Sequence, residues 1–167
     1  LATTEGTLIA SYNRGMRAIT ESGGITTTVF DDYMQRAPAL KFASAREVKE
    51  FMSWFDANYT EIKAEAETTS SIASLEFVQR WPVHNVLYMR WNFSTGDAAG
   101  QNMVSKATDH ACRWILKNYP RTIDYYAFSG GMDTDKKHSH INNLYSRGKR
   151  VVAELILKKE VMEKLLR

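Results

Sequence analysis

At 167 residues the chain has room for one domain, or one domain with an appendage, and it is long enough to bury a core. Apolar residues make up 44% and charged residues 25%, an ordinary soluble composition. The net charge of +3 and pI near 9.0 suit a polyanionic small molecule such as a dinucleotide without requiring nucleic acid. The single Cys112 excludes an internal disulfide and a cysteine metal cluster, and no apolar run reaches the roughly 18 residues of a membrane span. No signal peptide is legible, so a cytoplasmic setting without membrane contact is expected. A start at Leu1 rather than methionine points to a processed or cut chain.

Leu8, Ile9, Tyr12, Met16 and Ile19 recur at helical spacing, with Asn13, Arg14 and Arg17 on the polar side, and Gly23-Gly24 closes that helix. Glu5, just ahead of it, reads locally as a charge favoured by the helix dipole. From Ile25 to Arg36 three threonines favour extended chain, while Asp31, Asp32 and Arg36 are expected to frame a short turn or helix. Pro38 to Ala43 reads as a short strand. Ser44 with Glu47 forms a capping box for a helix whose stripe is Val48, Phe51, Met52 and Phe55. Helical pattern continues from Asn58 to Thr69 through Tyr59, Ile62 and Ala66. Ala73, Leu75 and Phe77 alternate as a strand, Trp81-Pro82 is the expected turn, and Val86 to Phe93 forms the second arm of a hairpin.

The run Ser94-Thr95-Gly96-Asp97-Ala98-Ala99-Gly100-Gln101-Asn102 follows that strand and opens a helix over Met103 to Lys117, with Val104, Ala107, Ala111, Trp114 and Ile115 on one face. Glycines at a strand-to-helix turn let backbone N–H groups approach a phosphate, although such a turn also serves simply to cap a helix. Cys112 falls inside the helix and reads as an inert buried thiol. Asn118-Tyr119-Pro120 stops the helix. Ile123, Tyr125 and Ala127 form a last strand running into Ser129-Gly130-Gly131. Strand, helix, strand, strand, helix, strand is the order of a ferredoxin-like split βαβ domain, an α+β antiparallel sheet with both helices on one face, here over residues 37–128. The flanks, 1–36 and 129–167, read as pieces of a larger α/β domain into which it is inserted. The second flank ends in a strand from Val151 to Leu157 and a helix from Lys158 to Arg167.

Asp135-Lys136-Lys137 can present a fixed cation to an oxyanion, or be a solvated charge run. His138 and His140 lack a third ligand, so no metal is expected. Ferredoxin-like topology with a basic pI also raises an RNA-binding reading. However, Tyr88 falls on the opposite face of its strand from Trp91 and Phe93, and the basic-Gly-aromatic signature of such modules is absent.

Three runs stand in register. They are Ala2-Thr3-Thr4-Glu5-Gly6 with Ala10 to Gly15; Gly96 to Lys106; and Thr134-Asp135-Lys136-Lys137 with Ile141-Asn142 and Arg147-Gly148-Lys149. Together they closely resemble, nearly end to end, the catalytic region of 3-hydroxy-3-methylglutaryl-coenzyme A reductases of the class found in eukaryotes, archaea and some bacteria. The resemblance implies NADPH-dependent formation of mevalonate and coenzyme A by two hydride transfers to a thioester, with NADH as a possible substitute and no metal. It implies that Glu5 is the catalytic acid and Lys136 the cation that stabilises the carbonyl oxygen. It places Arg36, Ser129, Asp135 and Lys137 around the hydroxymethylglutaryl group or nearby cofactor, and Asn13 and Arg14 on the coenzyme A side. Cofactor contacts fall on Ser70 and Ser71, in the loop running from Thr69 to Ile72, and on Asp97, Ala99, Gly100, Gln101 and Asn102.

The chain departs from the pattern at several positions. Ala99 stands for a methionine, Ser71 for an arginine, Gly131 for an asparagine and Asp133 for a cysteine, while His138-Ser139-His140 replaces small residues. The family's catalytic aspartate, its thiolate-protonating histidine and its dimerisation segment are expected outside these residues, supplied by a homo-oligomer or a complementing chain. A reductase-like nucleotide-binding module without turnover is the alternative reading.

Overall fold

The computed structural model describes residues 5–166, so the Ala2-Thr3-Thr4 part of the first motif lies outside it. In chain order, a 3-10 turn at Gly6–Leu8 leads into α1 (Ile9–Ser22), β1 (Thr26–Arg36), β2 (Ala39–Lys41), α2 (Ala45–Ala57) and α3 (Tyr59–Glu67). These are followed by β3 (Ser74–Val83), β4 (Val86–Ser94), α4 (Gln101–Asn118), β5 (Tyr125–Ala127), α5 (His140–Leu144), β6 (Gly148–Glu154) and α6 (Lys159–Leu165). The chain divides into two compact units, Leu1–Phe30 with Val151–Arg167, and Asp31–Arg150. The second contains all of the expected middle segment 37–128, together with residues 31–36 and 129–150.

In the first unit, α1 ends where Gly23 takes a left-handed φ of +107°. The Gly23 N–H then bonds the Thr20 carbonyl at 3.1 Å and the Gly24 N–H bonds that of Ile19 at 2.9 Å, satisfying carbonyls the helix leaves open. Helices α1 and α6 pack together, burying Ala18 and Val161. Glu21 of α1 accepts from Arg17 at 2.6 Å and from Lys164 of α6 at 3.3 Å. These hydrogen bonds, Arg17 first, hold its carboxyl below the ordinary value.

The sheet is a mixed α+β arrangement in which β4 pairs antiparallel with three strands. It runs beside β3 along its length, beside β2 from Val86 to Tyr88, and beside β1 from Trp91 to Phe93. β5 adds to the far edge of β2, giving the order β5-β2-β4-β1-β6 with β3 on the other edge of β4. Because side chains alternate along a strand, Leu87, Met89, Trp91 and Phe93 all leave one face of β4, and all are fully buried. Against them lie Val48, Phe51 and Phe55 of α2, Ile62 and Ala66 of α3, and Val104, Ala107, Ala111, Cys112 and Ile115 of α4. The Phe51 ring is 5.1 Å from that of Phe42 and 5.0 Å from that of Tyr119. Burying one such side chain contributes about 1.5–3 kcal/mol.

The start of α2 is decided by its sequence. The Ser44 side chain accepts from the Glu47 N–H at 3.3 Å, and the Glu47 carboxylate accepts from the Ala43 N–H at 3.2 Å.

Three expectations are corrected. Asp31 to Arg36 is not a turn or helix but part of β1, because Met34, Gln35 and Arg36 pair with Phe93, Asn92 and Trp91, and that pairing overrides local preference. Trp81-Pro82 is not the hairpin turn. Both residues stay in β3, where Pro82 faces Leu87 across the ladder; among the described residues β3 pairs with β4 alone, and an edge strand tolerates the missing donor. The turn is His84-Asn85, with His84 at φ +54° and the Asn85 amide bonded to the Phe42 carbonyl at 2.7 Å. The last strand begins at Gly148 and ends at Glu154, three residues earlier at each end than the apolar run Val151 to Leu157 implies.

Two outcomes follow from this core. Phe51→Ala should lower unfolding free energy in urea by about 3–5 kcal/mol. Burial pushes the Cys112 thiol up to about 12, so a disulfide-exchange reagent at mildly alkaline pH should label it only after denaturant is added. Since the folded state holds the thiol neutral, its stabilisation is complete below the ordinary value of 9.0 and is lost as pH rises towards 12.

Candidate active site

The turn from β4 into α4 is closed by its own backbone and one hydroxyl. Thr95 Oγ1 donates to the Ala98 carbonyl at 2.7 Å, and the Ala98 N–H returns to the Thr95 carbonyl at 3.3 Å. Gly100, the N-cap of α4, has φ +79°, and among the described residues no side-chain cap bond is made to the helix. Among the described residues, the first N–H groups of this 18-residue helix therefore have neither intrahelical nor capping side-chain acceptors, and they carry the positive end of its dipole. A Cβ on Gly100 would come within 2.6 Å of Thr95 Cβ, so the turn admits only glycine there. Asp97, Ala98 and Ala99 form one wall of a cleft of about 420 Å³, and Arg147, Gly148 and Lys149 form another. Lys149 pairs with Asp32 and donates to the Gly96 carbonyl at 3.3 Å, tying the start of β6 to the turn.

The loop after α3 borders the same turn, since a Cβ on Gly96 would lie 3.4 Å from Ile72 Cγ2. In that loop Ser70 Oγ accepts from the N–H groups of Ile72 and Ala73, each at 3.1 Å, while Ser71 is exposed. Ser70 thus has a structural duty, although its hydroxyl proton remains available to donate.

Arg147 joins this turn to the Asp135-Lys136-Lys137 loop. One guanidinium nitrogen donates to the Gln35 carbonyl at 2.7 Å; the other donates to Gln101 Oε1 at 2.6 Å and to Asp135 Oδ1 at 3.0 Å. That bond is the main reason the Asp135 carboxyl is held below its ordinary value, with the charges of Arg147, Arg36 and Lys136 adding to it. Beside it, Arg36 donates to Ser105 Oγ at 2.9 Å and to Asp133 Oδ2 at 3.0 Å, and its guanidinium lies over the Phe128 ring. Ser129 Oγ also donates to Asp133, which is 3% exposed. A buried carboxylate thus organises two expected substrate-binding residues from below. Lys136 and Lys137 are exposed on the loop surface.

The match to the family model for hydroxymethylglutaryl-coenzyme A reductase covers residues 1–167. The chain is 44% identical over 169 residues to 3-hydroxy-3-methylglutaryl-coenzyme A reductase of Pyrococcus abyssi, covering 100% of this chain and 41% of that protein. It is 41% identical over 167 residues to the enzyme of the same name from Aeropyrum pernix, again covering 100% of this chain and 40% of that protein. The chain belongs to the hydroxymethylglutaryl-coenzyme A reductase family. It spans about two fifths of the length of these relatives. In fold, it resembles the class II reductase of Streptococcus pneumoniae described as bound to NADPH in open conformations. The TM-score is 0.56 at 17% identity, over 76% of this chain and 36% of that one.

Of the residues singled out from sequence for a reductase, the second unit collects Arg36, Ser70, Ser71, Asp97 to Asn102, Ser129, Asp135, Lys136 and Lys137. Glu5, Asn13 and Arg14 belong to the first unit, where all three are exposed and the Glu5 carbonyl accepts from the Leu8 N–H at 3.0 Å. An open cleft of about 630 Å³ between the α1 terminus and Glu154 to Ile156 lies within that unit and contains none of them. Trp91 and Phe93 are fully buried beneath the helices, so the stacking pair needed by the RNA-binding reading is not presented. No local sequence pattern assigns a role to Arg147 or Asp133. The Arg-Gly-Lys run was the only signal for the first, and the departure from cysteine the only signal for the second. Among the described residues, no three His, Cys, Asp or Glu side chains converge, and no helix is long and apolar enough to cross a membrane.

Replacing Gly100 with alanine should destabilise the second unit by at least about 1 kcal/mol, because a left-handed non-glycine residue is strained and the new methyl meets Thr95. A lowered urea midpoint at unchanged slope would register it.

Proposed function

We propose that this chain is the nucleotide-binding portion, with part of the catalytic site, of an NADPH-dependent reductase that converts 3-hydroxy-3-methylglutaryl-coenzyme A to mevalonate and coenzyme A. The observation that carries the reading is the uncapped N-terminus of α4 opening on a cleft that Arg147 links to the lysine loop. NADPH would supply two successive hydrides to the thioester carbon. The α4 N–H groups and the glycine turn suit its pyrophosphate, and Asp97, Ala99, Gly100, Gln101 and Asn102 would contact it there. Ser70 and Ser71, beside the turn, would donate to the 2′-phosphate; with Ser71 in place of an arginine, NADH is admitted as a weaker substitute.

Lys136 supplies the charge that hydride addition requires. As hydride reaches the carbonyl carbon, negative charge gathers on oxygen, and an ammonium about 3 Å away stabilises it. Arg36, Ser129, Asp135 and Lys137 surround the hydroxymethylglutaryl group, with Asn13 and Arg14 on the coenzyme A side. Glu5, as a carboxylic acid, manages the proton on the developing alcohol. The catalytic aspartate and thiolate-protonating histidine are to come from further chain, in a homo-oligomer or a complementing subunit, in the cytoplasm.

The order β5-β2-β4-β3, with α2, α3 and α4 packed against the Leu87–Phe93 face, supports reading residues 37–128 as a ferredoxin-like split βαβ domain. Residues 1–36 and 129–167 then belong to an incomplete larger domain.

Titration of the chain with NADPH, NADH and single-stranded RNA should give saturable binding of NADPH, weaker binding of NADH and none of RNA, with Asp97→Ala abolishing the NADPH signal. In the full-length protein, Lys136→Ala should lower thioester-dependent NADPH oxidation by about 100-fold or more. Binding without turnover in the unsubstituted full-length protein would favour the nucleotide-binding module instead.

A further inference from the structure

Arg90 sits at the centre of β4 on the face away from the aromatic core, and it is fully buried. No ion pair is formed with it among the described residues, and its Nε and Nη1 reach no described acceptor. The remaining nitrogen makes two bonds, to the Ser146 carbonyl at 2.6 Å and to Asn142 Oδ1 at 3.1 Å. Burying an arginine this deeply is unfavourable unless its donors are used, so those two bonds bear most of its stabilisation. The first of them decides nothing about the loop. The second decides the orientation of an amide: because Oδ1 of Asn142 accepts from the guanidinium, Nδ2 must point the other way. It points at the lysine loop, where it lies 3.4 Å from the Thr134 carbonyl and 3.4 Å from the Lys137 carbonyl.

Those two carbonyls bracket strained backbone. Thr134 has φ +45° and Lys136 has φ +59°, both in the left-handed region and neither glycine. Each such residue costs roughly 1–2 kcal/mol relative to ordinary backbone, so the loop holds this shape only if its surroundings impose it. Among the described residues, two side chains bond to it from other parts of the fold. Asn142 spans it, and Arg147 holds the Asp135 carboxylate. Asn142 is itself set at the start of α5, where the Ser139 hydroxyl accepts from its N–H at 3.3 Å.

We infer that Arg90 and Asn142 are positioning residues: the buried guanidinium orients the Asn142 amide, and the amide clamps the loop so that Lys136 is held left-handed with its ammonium presented for turnover. The catalytic half of this inference rests on the role proposed above for Lys136; the clamp itself rests only on geometry.

The test uses the full-length protein and three variants. Asn142→Asp keeps the size and the acceptor for Arg90 but removes both donors to the loop. Asn142→Ala removes acceptor and donors together. Lys136→Ala reports on the catalytic reading by itself. Amide exchange of residues 134–138 should speed up by on the order of tenfold in both Asn142 variants, with exchange in α2 and α4 unchanged. In the same variants kcat should fall by about tenfold or more while the KM for NADPH stays constant, a split that general destabilisation does not produce. Unchanged loop exchange in Asn142→Asp overturns the clamp. Faster exchange with unchanged kcat overturns positioning. If instead Lys136→Ala leaves turnover intact, the catalytic reading of that lysine fails, while the exchange data still decide the clamp.

Discussion

Leu87, Met89, Trp91 and Phe93 leave one side of β4 for the aromatic core, while Arg90 and Asn92 leave the other side and are buried as completely. Most sheet strands with one solvated face alternate apolar and exposed polar residues. Here the second face is covered as well, so its polar groups must find partners within the protein. Asn92 does so through Gln35 at 3.0 Å and the Arg90 carbonyl at 2.9 Å; Arg90 does so through Asn142 and Ser146. The hydrophobic effect holds α2, α3 and α4 to one face, and directional hydrogen bonds hold the lysine loop to the other. One strand thereby positions both the scaffold and the candidate chemistry.

The two halves of the candidate site solve opposite backbone problems. At the α4 turn the left-handed position is Gly100, which takes that conformation without strain and leaves no room for a side chain against Thr95. In the lysine loop the left-handed positions are Thr134 and Lys136, neither of them glycine, so the surrounding contacts must hold the strain. Arg147 ties one half to the other by sharing a single nitrogen between Gln101 and Asp135. Movement of either partner is therefore felt by the other through a side chain that is only 13% exposed.

Asp133 shows how a substitution within a motif is absorbed locally. A carboxylate stands where the family resemblance has a cysteine, and it is buried against Arg36 and Ser129. A buried carboxylate survives when a cation and a hydroxyl satisfy it, and both are supplied by residues expected to face substrate. The same groups thus satisfy the interior while lying among the residues proposed to meet substrate.

Helix stripes, the Ser44–Glu47 cap, the glycine stop of α1 and the alternation of β4 were legible because each depends on residues within a few positions of one another. The family was legible too, since three motifs kept their order over the whole chain. The strand character of Asp31 to Arg36 was not, because it comes from pairing with Trp91 to Phe93, far along the sequence. Nor was the true hairpin turn, since Trp81-Pro82 is a turn signal by local statistics and is overruled by the ladder to β4. Arg147, Arg90 and Asp133 had no legible role for the same reason: their partners lie on other elements, and a charged residue in a sequence does not reveal whether it will be solvated or buried. Local periodicity and motif order come from the sequence by itself. Which polar side chains share a hydrogen bond was decided only when the tertiary fold brought distant residues within bonding reach and shut out water.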